Sequence, residues 1–135
     1  MTATSIRALI DTSVFIAAES GRRLDIGALP EGSTASVITF AELTAGVLRA
    51  SDIATRSRRL ATVAQFRSME LLPVTETVAG HWARLRVLLA EQQRRLNVND
   101  LWIAATAAAH GVPIVTQDAD FDVLAEVGGI QVIRV

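Results

Sequence analysis

The sequence contains no lysine, no cysteine and no tyrosine, and its two histidines, His81 and His110, stand far apart. Each gap removes a chemistry. Without lysine there is no P-loop cation, no Schiff-base amine and no lysine beside the acidic pocket of a phospho-receiver. Without cysteine there are no thiol nucleophiles, disulfides or zinc–thiolate sites. Two isolated imidazoles supply neither a His-rich metal site nor a catalytic pair. Aromatic residues make up 4% of the chain, too few for an extensive base-stacking platform. No run approaches the roughly 18 apolar residues of a membrane span. Segment 1–5 is polar where a secretory leader would be basic and then apolar. A cytoplasmic protein without a membrane association is therefore expected.

What is present is 135 residues, 50% hydrophobic, with 13 basic groups, all of them arginine, against 14 acidic ones and a formal charge of −1. That is enough to bury one ordinary core, so a single domain over 1–135 is expected. A near-neutral total provides no global field toward nucleic acid or membrane, and any such binding has to come from a local patch. Carboxylates, hydroxyls and guanidinium groups are left to do chemistry.

Residues 6–10 form an apolar run of strand length, and Asp11, Thr12 and Ser13 offer capping groups for a helix over 14–19. A loop over 21–32 with a short helix at 24–29 leads to a second strand at 33–38. A helix from Thr39 to about residue 50 and another over 53–66 make a helical hairpin, with Ser51 and Asp52 at the break. Residues 69–74 read as a further short strand, interrupted by Pro73. The clearest helix carries Val78, Trp82, Leu85 and Leu89 on one stripe. Residues 101–110 are Ala-rich and apolar nearly all round, implying a buried helix that Gly111 closes. Strands at 114–115 and 130–135 flank a short helix capped by Asp118 and Asp120. Strands alternating with helices, and too apolar to have a wet face, indicate an α/β fold: a central parallel sheet of about five strands, covered on both sides.

Ligands of open parallel sheets bind beyond the carboxyl ends of the strands. Four acids fall at such places. Asp11 follows the first strand, Glu42 lies early in the helix after the second, Asp100 opens the buried helix, and Asp118 follows the strand at 114–115. Each also has a capping explanation. Asp11, Asp100 and Asp118 suit helix starts, and Thr39 to Glu42 spells a capping box in which Glu42 folds back on the Thr39 N–H. Capping does not, however, require all four at one end of one sheet. Gathered there, they repel one another unless protons or cations compensate. Hard, oxygen-preferring Mg²⁺ or Mn²⁺ suits such a set, and phosphodiester hydrolysis is the chemistry it supports.

The segments around these acids, at 9–13, 36–43, 99–107 and 114–121, resemble a PIN domain, specifically a VapC-type toxin of a bacterial toxin–antitoxin pair. The resemblance spans essentially the whole chain. It implies a three-layer α/β/α PIN-like sandwich and a metal-dependent endoribonuclease with Mg²⁺ or Mn²⁺ at an acidic pocket. It further implies a cognate VapB-type antitoxin, an RNA substrate and a homodimer of toxin chains. By position, Asp11, Glu42, Asp100 and Asp118 match the family's catalytic acids. Asp11, Asp100 and Asp118 are the expected metal ligands, and Glu42 is expected to act through a water or as a further ligand. Ser13 and Thr116 are supporting hydroxyls, and Asp120 is the alternative to Asp118.

Arginines cluster at the hairpin (Arg49, Arg56, Arg58, Arg59) and along the long helix and its end (Arg84, Arg86, Arg94, Arg95). They serve either as phosphate contacts or as solvated faces with pairs such as Glu91–Arg95. Leu43, Val47, Leu60, Val63 and Phe66 pack the hairpin on the sheet or line an antitoxin groove, and Trp82 and Trp102 are expected to fill the core. The alternative function is an inactive PIN-like module that binds RNA or protein without cutting. A haloacid-dehalogenase-like phosphatase is disfavoured, because it needs a second Asp two residues after the first, where Ser13 stands.

Overall fold

A computed structural model describes residues 5–135; all of segment 1–5 except Ser5 lies outside the described residues. Its sheet is built from β1 (Ala8–Ile10), β2 (Ser33–Thr34), β3 (Ile114–Thr116) and β4 (Val132–Arg134), all parallel, in the order β2-β1-β3-β4. Five α-helices accompany it among the described residues: α1 (Thr12–Glu19), α2 (Val37–Arg49), α3 (Ile53–Ala64), α4 (Glu76–Glu91) and α5 (Val98–His110).

Side chains alternate across a strand, and the central strands divide two cores accordingly. Leu9 and Ile114 point into one, with Val78, Leu85 and Leu89 of α4 and Leu101, Ile103 and Ala104 of α5. Ala8, Ile10 and Val115 point into the other, with Val14 and Phe15 of α1, Leu43 of α2, and Phe66 just beyond α3. This is the expected three-layer sandwich. Trp82 and Trp102 stack at 5.1 Å between ring centroids against the first core.

The sheet has four strands among the described residues rather than about five. Run 69–74 contributes a single bridge: Leu72 accepts from the Val37 N–H at 3.0 Å and donates to Ala35 O at 3.0 Å. Pro73, the next residue, has no N–H to extend the ladder. The second strand is also shorter than 33–38, because Ser36 stops it by capping α2, its Oγ accepting from the Thr39 N–H at 3.3 Å. The helix therefore starts at Val37, and the capping box expected from Thr39 to Glu42 does not form. Glu42 is left free for other partners. Glu91 and Arg95 do not pair among the described residues; Arg94 pairs instead with Glu126 at 3.1 Å.

From β1 the chain passes through α1 to β2 on one side, whereas β3 lies on the other side of β1. The topological switch point thus falls between the carboxyl ends of β1 and β3. Open sheets of this kind bind their ligands there.

Candidate active site

Asp11 leaves β1 at this switch point and is 2% exposed. It caps α1, and three donors meet on its Oδ2: the Ser13 N–H at 3.2 Å, Ser13 Oγ at 2.6 Å and Thr116 Oγ1 at 2.9 Å. Burial pushes its pKa up, while these hydrogen bonds to the ionised form pull the other way. The two hydroxyls also accept. Ser13 Oγ takes the Gln117 N–H at 3.0 Å and Thr116 Oγ1 takes the Asp118 N–H at 2.9 Å. One carboxylate and two hydroxyls therefore tie the end of β1 to the turn after β3.

Glu42 projects from the second turn of α2 and is held from two sides. Thr12 Oγ1 donates to its Oε1 at 2.7 Å, and Asn99 Nδ2 reaches its Oε2 at 3.4 Å. The buried Thr12 hydroxyl also lies 3.0 Å from that of Thr39. The sequence offers Thr12 and Thr39 only as helix-capping residues and gives no separate signal for Asn99. Thr12 adjoins Asp11 and Asn99 adjoins Asp100, but only the packing of α1, α2 and α5 aims them at Glu42.

Asp100 sits in the first turn of α5 without capping it; Asn97 is the cap, its side chain accepting from the Asn99 N–H at 2.9 Å. Among the described residues Asp100 receives no side-chain hydrogen bond. Burial, followed by the fields of Asp11, Glu42, Asp118 and Asp120, pushes its carboxyl up to about 7. The five acids thus share one electrostatic site. Asp118 caps the turn over Ala119–Phe121, its Oδ1 accepting from the Asp120 N–H at 2.9 Å. It is half-buried, whereas Asp120 is exposed.

The donor set is all oxygen and carries excess negative charge. Among the described residues, no three acidic or imidazole groups are gathered into a ready-made ion cage. The oxygen donors and negative charge of the site suit a hard, oxygen-preferring divalent cation such as Mg²⁺.

Residues 8–127 match the PIN domain family. The chain belongs to that family. Among its PIN-domain relatives, Ribonuclease VapC5 of Mycobacterium tuberculosis is 48% identical over 135 residues, covering 100% of both chains. Ribonuclease VapC4 of the same organism is 42% identical over 121 residues, 90% of this chain and 93% of the relative. In three dimensions, the crystal structure of the toxin–antitoxin system VapBC-5 from Mycobacterium tuberculosis superposes with a TM-score of 0.89 at 46% identity, covering 96% of this chain and 98% of that one. The fold described above thus agrees with that of a solved toxin–antitoxin relative. No helix among the described residues is long and apolar enough to cross a membrane.

Proposed function

We infer that this PIN domain is a metal-dependent endoribonuclease that hydrolyses RNA phosphodiester bonds, the toxin of a VapBC-type pair. The reading is supported by family membership and by a ribonuclease relative matched along the full chain. The structural observation that carries it is the convergence of carboxylates at the sheet's switch point, felt most strongly at Asp100.

Asp11, Asp100 and Asp118 would hold the divalent cation, Mg²⁺ or Mn²⁺. A cation bound there would supply Lewis acidity toward a phosphoryl oxygen and would lower the pKa of a water. The chain's own residues supply position. Ser13 and Thr116 saturate one oxygen of Asp11 and so fix the direction of the other. Thr12 and Asn99 hold Glu42 at the rim, where its carboxylate orients the attacking water. Asp120, exposed beside Asp118, adds to the field that draws in a cation. The partners follow from the same reading: an RNA substrate, a VapB-type antitoxin and a second toxin chain in a cytoplasmic complex.

The test is substitution without loss of shape. Asp11→Asn keeps an acceptor for its hydroxyl donors, and Asp100→Asn keeps the first turn of α5. Each is expected to abolish Mg²⁺- or Mn²⁺-dependent cleavage of cellular RNA, and toxicity on induction, with an unchanged circular dichroism spectrum. Cleavage retained by purified Asp11→Asn protein would overturn the mechanism.

A further inference from the structure

An RNA strand that places one phosphate among five acids needs cations for the phosphates on either side. Four arginines cluster at the α2–α3 hairpin, and the fold uses two of them. Arg56 Nη2 donates to Ala50 O at 3.1 Å, and Arg59 Nη1 donates to Gly46 O. Both satisfy carbonyls at the C-terminal end of α2, which lack helical partners. Arg49 and Arg58 make no side-chain hydrogen bond or ion pair among the described residues, and both are exposed.

Arg49 follows Glu42 by seven residues, two turns along the same face of α2 and about 10 Å along its axis. Two clefts meet at this pair. One, of about 310 Å³, runs between α2 and the start of α5 and is lined by Glu42, Ala45, Arg49 and Asn99. The other, of about 290 Å³, lies among α1, α2 and α3, and adds Arg58 and Arg59 to Glu42 and Arg49. Glu19 also lines it, but its carboxylate accepts from Thr62 Oγ1 at 2.8 Å. Each cleft therefore leads from an acid of the site to an uncommitted guanidinium. The other basic groove, lined by Arg86, Arg94 and Arg95, includes none of the acids, and Arg94 is engaged by Glu126.

We propose that Arg49 and Arg58 form a phosphate-binding subsite that holds the RNA strand flanking the scissile bond. The proposal rests on the nuclease reading above. Two planar guanidinium forks take phosphate oxygens bidentately, and in a chain of net charge −1 this local pair offsets the repulsion between strand and carboxylates. The clefts set the direction, running from Glu42 along α2 toward the hairpin turn.

Binding of a fluorescein-labelled 20-nucleotide single-stranded RNA, followed by anisotropy over a NaCl series in the Asp11→Asn background with Mg²⁺, tests this. Arg49→Gln and Arg58→Gln are each expected to weaken binding about five- to tenfold and to reduce the salt slope by about 0.7. Arg86→Gln is the control and is expected to change neither. In the catalytically intact protein, the double variant is expected to raise KM for RNA and leave kcat within about twofold. An unchanged affinity and slope in the double variant would overturn the subsite, as would an equal loss in Arg86→Gln. Unchanged RNA binding with weakened antitoxin binding would overturn it too, and assign the clefts to the protein partner. If the wild type cleaves no RNA with either ion, the nuclease reading fails instead, independently of the binding result.

Discussion

Asp11 and Asp100 show how one side chain takes two characters from its surroundings. Asp11 is almost fully buried, yet three donors compensate its charge. Asp100 has no such donors, and burial first, then the fields of the neighbouring acids, push its carboxyl up to about 7. Unfolded, that carboxyl has its ordinary value of 3.8. Between the two values the folded state binds more protons than the unfolded one, so stability falls as pH rises through this window. Asp100→Asn removes that loss. Once solvent screening of the half-exposed group is allowed for, the variant is expected to be more stable by about 1–2 kcal/mol at pH 8, with little difference at pH 4. Thermal melts across this range check it, and a gap independent of pH would contradict it. Thr12 presents a different test. Thr12→Val removes the shortest hydrogen bond to Glu42 and leaves the buried Thr39 hydroxyl without this partner. The expected result is about a tenfold fall in kcat with little change in KM. Thr12→Ser, which keeps the hydroxyl, is expected to restore the rate.

At the scale of elements, helix ends decide where side chains go. Both long helices of the first core close in the same way. After α5, Gly111 takes the left-handed conformation at φ 64°, with Gly111 N–H on Ala108 O at 3.1 Å and Val112 N–H on Ala107 O at 3.1 Å. After α4, Gln93 occupies the equivalent place at φ 56°, with Gln93 N–H on Ala90 O at 3.0 Å and Arg94 N–H on Leu89 O at 2.9 Å. A side chain pays for this backbone where glycine does not. Gln93→Gly is therefore expected to stabilise the protein by about 0.5–1 kcal/mol, measurable by urea denaturation, without affecting cleavage. The start of α2 matters more for function. Thr39 is the cap expected from the sequence and Ser36 the cap the structure uses, and they differ in what they leave to Glu42. With Ser36 as the cap, Glu42 moves beyond the first turn and its carboxylate turns to Thr12 and Asn99.

At the scale of the molecule, the strand order turns separate helix starts into one site. The order β2-β1-β3-β4 puts the carboxyl ends of β1 and β3 side by side, and Asp11, Ser13 and Thr116 join them directly. The order in which strands and helices alternate was legible because the central runs of β1 and β3 are buried on both faces and the element boundaries carry capping residues or glycine. The extent of β2 and of run 69–74 was not. Both are short apolar stretches whose state depends on what pairs beside them, and one bridge at Leu72 is all that the neighbouring backbone allows. Among the site residues, the four acids were legible by their places after strands and at helix starts. Thr12 and Asn99, which hold Glu42, were not, because hydroxyls and amides near helix starts read first as caps.

The sequence by itself determined the chemistry available to this protein. With no lysine, cysteine or tyrosine, the carboxylates became the candidate reactive centre, and the segments around four of them carry the family resemblance. Only the tertiary structure decided how they act. It buried Asp11 among donors and left Asp100 without them, because desolvation and mutual repulsion depend on distance through space. It also separated arginines bound to the α2 carbonyls from those left free, since a guanidinium's partner is set by which backbone it meets. At the hairpin, a basic set made wholly of arginine is thereby divided between Arg56 and Arg59, which hold it together, and Arg49 and Arg58, which are left unpaired among the described residues.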